Sequence, residues 1–297
     1  MFKYSKRVPK DGSDAVGEIL KAAADPKIIS FAGGLPAPEL FPVAEMKKAT
    51  DDVYDENGKE ALQYGSAKGV LKLRKTIAKR MLDREGIKTD PDHIMVSTGS
   101  EQVIDLVGKA FIDSGDTVFV EQPTYLCAID VFKSYGAKFV SVPMDDDGMR
   151  TDALEEALKE HPEVKLLYTV PNFQNPTGRT MPADRREALA KLAEKYDFMV
   201  LEDNPYGDIR FAGEHVPSVK SFDKSGHVIY MSTFSKILAP GLRLGWAIAD
   251  LDVINKLTVL KQSADLHSDN LAQYIVAKFF EENDIEKHIE KISQLYG

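Results

Sequence analysis

Between Ser232 and Trp246 the chain reads Ser232-Thr233-Phe234-Ser235-Lys236-Ile237-Leu238-Ala239-Pro240-Gly241-Leu242-Arg243-Leu244-Gly245-Trp246. A lysine stands between hydroxyl residues, a Pro-Gly turn follows, and an arginine interrupts an otherwise apolar run. Lysine and arginine ordinarily occupy solvated faces, whereas the neighbours here have the character of a buried strand and a turn. A buried ammonium must lose its proton, be paired or react. A buried guanidinium keeps its proton and requires a fixed anion. An aldehyde cofactor carrying a phosphate meets both requirements.

Such a pair needs a scaffold, and the central sequence supplies one. β-rich runs at Ile94–Ser97, Thr117–Glu121, Lys138–Pro143, Leu166–Val170, Phe198–Asp203, Val228–Ser232 and Gly245–Ala249 alternate with helical candidates at Glu101–Ile112, Tyr125–Ser134, Asp152–Lys159 and Ala183–Tyr196. That rhythm predicts crossover units and a mostly parallel sheet covered on both faces. Ligands of such sheets bind beyond the carboxyl ends of the strands. Before the sheet come an irregular arm, a short helix around Val16–Ala24, and Ser30–Pro42, whose two glycines and three prolines predict an ordered loop or a linker. Helices are expected near Val43–Tyr54 and Val70–Arg84, with Gln63-Tyr64-Gly65 between them. From Val253 to Gly297 the pattern is helical and rich in Glu and Lys, ending at Ser293–Gly297 without a convincing final element.

The strand ends carry the remaining chemistry. Thr98-Gly99-Ser100-Glu101 opens a helix: a glycine admits an anion to the backbone, Ser100 can serve as N-cap, and a helix N-terminus favours negative charge. A plain Ser cap is the simpler reading, and Glu101 suits a phosphate only if its carboxylate points away. Tyr125 can stack on a flat ring or merely pack. Asn175-Pro176-Thr177-Gly178 is a good turn by itself and also places an amide donor at the ligand edge. Glu202-Asp203 closes an apolar strand, where carboxylates are costly unless paired; a protonated ring nitrogen would pair one. Tyr206 can donate from the same loop.

Composition narrows the alternatives. The 297 residues include 43% apolar and 29% charged, ordinary for a globular protein with one large or two modest domains. A net charge of −9 argues against nucleic acid or an anionic membrane as partner. One cysteine, Cys127, leaves no internal disulfide and fits a cytoplasmic location. No signal peptide and no membrane span are expected. There is no G-x-G-x-x-G after a strand and no phosphate-binding lysine loop. The histidines lack metal-ligand spacing. A serine acylase of the S-x-x-K type would need serine where Thr233 stands.

The motifs Gly99-Ser100, Asn175-Pro176-Thr177-Gly178, Asp203-Asn204-Pro205-Tyr206 and Ser235–Trp246 together resemble those of the class I/II, fold type I aminotransferases that use pyridoxal 5′-phosphate (PLP). Phe31-Ala32-Gly33-Gly34-Leu35-Pro36-Ala37-Pro38-Glu39-Leu40-Phe41-Pro42 is similar to the 2-aminoadipate, kynurenine and aromatic aminotransferase branch, and to the effector domains of MocR-type regulators. The resemblance implies a three-layer α/β/α fold with a mostly parallel seven-stranded sheet, an arm and loop over residues 1–42 and a large PLP-binding domain over 43–297. Lys236 matches the lysine that forms the internal aldimine and moves the proton, and Asp203 the carboxylate facing the pyridine nitrogen. Asn175 and Tyr206 match the donors to the ring oxygen, and Tyr125 the stacking aromatic. Gly99, Ser100, the Glu101 backbone, Thr233, Ser235 and Arg243 match the phosphate cup. Tyr64 resembles a tyrosine reaching that phosphate from a neighbouring subunit, which implies a homodimer; Gly34 and Asn175 are implied in substrate binding. The implied reaction moves an amino group between an α-amino acid and a 2-oxo acid by a ping-pong mechanism.

Family members generally continue into a small C-terminal domain carrying the arginine that grips the substrate carboxylate, and such a domain is expected to be largely absent here. Members preferring acidic substrates carry an arginine just before Glu-Ile-Leu, where this chain has Gly17. A MocR-like PLP sensor and a fold type I lyase or decarboxylase share the same cup. The sensor reading expects a basic winged-helix domain ahead of the arm, so the transaminase is favoured.

Overall fold

The computed structural model describes residues 2–8, 15–23, 25, 27–29 and 34–297. The helices and strands, in order, are α1 (Ala15–Ala23), α2 (Val43–Ala61), α3 (Leu71–Glu85), β1 (Ile94–Ser97), α4 (Ser100–Phe111), β2 (Thr117–Gln122), α5 (Leu126–Ser134), β3 (Lys138–Asp145), β4 (Gly148–Met149), α6 (Thr151–Glu160), β5 (Leu166–Thr169), α7 (Ala183–Tyr196), β6 (Met199–Asp203), α8 (Val219–Phe222), β7 (Val228–Thr233), β8 (Gly245–Ile248), α9 (Leu251–Ala264), α10 (Asn270–Glu282) and α11 (Ile285–Tyr296).

The strands form one sheet in the order β1-β8-β7-β6-β5-β2-β3-β4. β7, β6, β5, β2 and β3 pair in parallel, β8 runs antiparallel to both β7 and β1, and β4 turns back on β3. The sheet is thus mostly parallel but has eight strands rather than the expected seven. The extra one is the two-residue β4, in which Gly148 pairs with Asp145 and Met149 with Met144. Two residues are too few to show a period-2 pattern, so nothing in the sequence marked it.

Alternation along the strands builds the layers. Met95, Val118, Val120, Leu166, Tyr168, Leu201, Ile229, Met231 and Ala247 share a buried cluster with α4, α5 and α9. Neighbouring strand residues point the other way. Val96, Tyr230, Trp246 and Ile248 pack with α2, α3, α10 and α11, and Phe119, Leu167, Val200 and Val228 with α6, α7 and α8. The result is an α/β/α sandwich whose central strands are buried on both faces, while β3 near the edge is mostly exposed or half-buried.

Two helices run further than the sequence suggested. α2 passes Tyr54 and reaches Ala61, absorbing a kink at Asn57 (φ −133°, ψ 18°). The C-terminal segment does end in a regular element: Ser293–Tyr296 belong to α11, which Asp284 caps by accepting from the amides of Glu286 and Lys287. Its Ile285, Ile289 and Ile292 are buried, a spacing that one face of a helix produces. In the loop expected over 30–42, residues 38–40 form a single 3-10 turn. Ser30, Phe31, Ala32 and Gly33, like Ala24 of the expected first helix, lie outside the described residues. Among the described residues no helix is long and apolar enough to cross a membrane.

Candidate active site

Because β1, β2, β5, β6 and β7 are parallel, their carboxyl ends deliver their following loops to one edge. Antiparallel β8 starts at that same edge, so Arg243, just before it, joins them. There a cavity of about 920 Å³ is lined by Ser100, Glu101, Tyr125, Asn175, Asp203, Tyr206, Thr233, Ser235, Lys236 and Arg243, with Gly34 from the N-terminal loop. Those sequence candidates converge. Tyr64 does not line it: it is 79% exposed, with its ring edge-on to His267 at 5.9 Å.

The acidic pair ending β6 divides between the two sheet faces. Glu202 accepts from the amides of Val219 and Lys220 at 2.8 Å each, at the start of α8. Asp203, one residue on, faces the cavity, where its Oδ2 accepts from the Tyr168 hydroxyl at 2.7 Å. Its Oδ1 is buried with no partner among the described residues. Burial pushes the Asp203 carboxyl up to about 7, against the opposing pull of the Tyr168 hydrogen bond. A carboxylate so placed is short of a donor or a cation. Tyr168 itself went unnoticed in the sequence, although a phenol on a fully buried strand is a signal that it needs a partner.

Lys236 is half-buried. Its Nζ donates to the Gly34 carbonyl at 3.3 Å and lies 5.9 Å from the Tyr206 ring centroid. Burial lowers its pKa; nearby Asp203 opposes that and Arg243 adds to it. Asn175 Nδ2 donates to the Tyr206 hydroxyl at 3.4 Å, which puts both polar groups on the same wall. Phe173, Cys127 and Tyr296, none of them singled out from the sequence, complete it.

At the other end lies an anion-shaped cradle. Ser100 is the first residue of α4 and not its cap; the cap is Gly99, at φ 75° and ψ 165°, and no side chain caps the helix. First-turn amides are therefore left for a ligand. A Cβ on Gly99 would stand 2.5 Å from the Arg243 guanidinium, and one on Gly245 only 2.7 Å from the Ser100 amide nitrogen. Both positions require glycine if the loop and the arginine are to approach. Arg243 adopts φ 50° and ψ 44° and is exposed rather than buried, because the open cavity lies on its free side. The expectation of a buried guanidinium is corrected to one poised at the rim. Thr233 Oγ1 lies 2.9 Å from Ser235 Oγ and receives the Ser235 amide at 3.1 Å. Glu101 lines the cavity; burial raises its pKa while Arg243 and a hydrogen bond from Tyr125 lower it.

These residues fit PLP at both ends. The orphaned Asp203 Oδ1 suits a protonated ring nitrogen. The uncapped α4 N-terminus with Arg243, Ser235 and Thr233 suits a phosphate dianion. Among the described residues no cluster could hold a metal ion.

The fold and cavity suit an enzyme of the aminotransferase class, and comparison with known proteins gives the family. The chain belongs to the family "Aminotransferase class I and II", whose profile matches residues 26–296. It is 47% identical over 297 residues to aromatic-amino-acid aminotransferase 1 of Thermococcus litoralis, covering 99% of this chain and 71% of that one. It is 39% identical over 297 residues to 2-aminoadipate transaminase of Thermus thermophilus, covering 99% of this chain and 72% of the relative. Among solved structures, Pyrococcus horikoshii kynurenine aminotransferase in complex with PMP superposes with a TM-score of 0.94 at 42% identity, over 99% of this chain and 73% of the other. The protein is an aminotransferase of this family.

Proposed function

We propose that the protein transfers an amino group between an α-amino acid with an apolar or aromatic side chain and a 2-oxo acid, using PLP held at the strand ends. The observation that carries this reading is the convergence of a half-buried lysine, a buried carboxylate with a free oxygen and an uncapped helix N-terminus on one cavity. Bound there, PLP supplies an aldehyde for amino groups and a ring that accepts electrons from a substrate carbon.

The chain's own residues do the rest. Asp203 Oδ1 would hold the ring nitrogen's proton in place, with Tyr168 fixing the carboxylate through Oδ2. Asn175 and Tyr206 would offer donors to the ring oxygen, and Tyr125 would pack against the ring. Arg243, Ser235, Thr233 and the amides of Ser100 and Glu101, entered through Gly99, would hold the phosphate. Lys236 Nζ, whose pKa burial lowers, takes a proton and returns it. Its bond to the Gly34 carbonyl supports a part for that residue in substrate binding. We read residues 1–42 as an arm over a cofactor-binding unit of 43–297. We also read the protein as a homodimer in which exposed Tyr64 reaches a partner's phosphate. A cytoplasmic location rests on the single cysteine.

The substrate class follows from the wall. Among the described residues the charged ones lining the cavity are Glu101, Asp203, Lys236 and Arg243, and the two cations are already engaged by the cofactor reading. What remains near the mouth is Phe173, Ile209, Phe211 and Tyr296. With PLP and 2-oxoglutarate supplied, phenylalanine should exceed 2-aminoadipate by about tenfold or more in kcat/KM. A preference for 2-aminoadipate contradicts the substrate class, and no transfer from any donor contradicts the function.

A further inference from the structure

Lys261, in the last turn of α9, is completely buried, although a lysine ammonium belongs in water. Nothing in the catalytic account uses it. Its Nζ donates to both oxygens of Asp265, at 2.8 and 2.7 Å, and to Gln102 Oε1 at 2.8 Å. Gln102 is in the first turn of α4. The same Gln102 Oε1 accepts the backbone amide of Thr98 at 2.9 Å, and Gln102 Nε2 donates to Asp265 Oδ2 at 2.7 Å. The Thr98 hydroxyl donates to Asp265 Oδ2 at 3.0 Å and lies 3.0 Å from Ser268 Oγ. Lys261 is buried but Asp265 is exposed, so the pair itself is a modest source of stability. It ends on the backbone that turns from β1 into α4, the segment whose orientation aims the first-turn amides.

We propose that Lys261, Asp265 and Gln102 are positioning residues for the anion loop Thr98–Glu101, and that they set how strongly the site holds the phosphate of its cofactor. The proposal rests on the PLP reading above. Lys261 and Asp265 do not line the cavity, so they act through the loop. Their loss should weaken recognition of the phosphate and spare recognition of the ring.

The test compares PLP with pyridoxal, which lacks the phosphate, by absorbance titration of the wild type and of Lys261→Met, Asp265→Asn and Lys278→Met. Lys278 makes an ion pair with Glu56 on another surface and serves as control. The wild type should bind PLP more tightly than pyridoxal. Lys261→Met and Asp265→Asn should each lower PLP affinity by about tenfold or more, the scale of losing a charged hydrogen bond, while pyridoxal affinity and the Lys278→Met control stay put. Folded variants that keep the wild-type ratio of the two affinities overturn the proposal. Should Lys261→Met fail to fold, Gln102→Met, which keeps the Lys261–Asp265 pair, decides by the same ratio. A wild type that binds neither compound overturns the PLP reading and the proposal with it, an outcome distinct from an unchanged ratio.

Discussion

Asp203, Thr233 and Ser235 sit at strand ends within the cofactor end of the cavity, buried and held by short hydrogen bonds to their neighbours. The mouth of the same cavity is made of Gly34, Phe211 and Tyr296, which come from three distant segments and are exposed, Phe211 by 58%. The Ala37 amide ties Tyr296 to the N-terminal loop, donating to its hydroxyl at 3.0 Å. The contrast separates two kinds of information. On the proposed reading, cofactor chemistry is built into buried strand ends, where a displaced atom disturbs the core. Substrate choice, on the same reading, is left to a surface that can change without touching it.

The sharpest way to break this contrast is at Asp203. Asp203→Asn keeps the shape but removes the charge that faces the ring nitrogen, and kcat should fall by on the order of 10²–10³. Single-turnover rates check it; a fall of less than about threefold would place the ring elsewhere.

A smaller effect separates the ends by pH. The Asp203 and Glu121 carboxyls are both pushed up to about 7 by burial, whereas the mouth has no such group among Gly34, Phe173, Phe211 and Tyr296. Both pKa values are raised above those of the unfolded chain, so between the two values the folded protein holds protons that the unfolded chain has released. The contribution of these two carboxyls to the stability of the cofactor-free protein is then full in acid and is lost as pH rises through 7. Between pH 5.5 and 8 the loss should be roughly 2 kcal/mol per carboxyl. Urea unfolding at the two pH values measures it, and Glu121→Gln should reduce the slope; a flat profile contradicts the burial argument. The smallest change is expected at the mouth. Phe211→Ala should raise KM for aromatic donors by about three- to tenfold and leave PLP affinity as it was.

Much of the cofactor end was legible in the sequence because its residues end, follow or closely precede strands whose apolar runs announce themselves. Lys236, Asp203 and Arg243 were each conspicuous as a charge beside such a run, and the sheet edge gathered them. The rest depended on contacts between distant segments. Lys261 and Asp265 form an i,i+4 pair that reads as an ordinary solvated helix face until the fold sets it against Gln102. Tyr168 gained meaning only when β5 and β6 aligned it with Asp203. Asn57-Gly58 reads as a stop signal, yet α2 continues because Val53 and Ala61 are both buried on its inner face. The exposure of Arg243 could not be inferred from its apolar neighbours, since those neighbours line the sheet and the arginine faces the cavity.

The central claim is that Lys236 binds PLP at this edge. The direct measurement is the absorption spectrum of purified protein after addition of PLP and removal of the excess, for the wild type and for Lys236→Ala. The account predicts a band near the visible edge in the wild type that shifts on adding an amino acid and is absent from a folded Lys236→Ala. A band of equal strength in both proteins, or in neither, contradicts it.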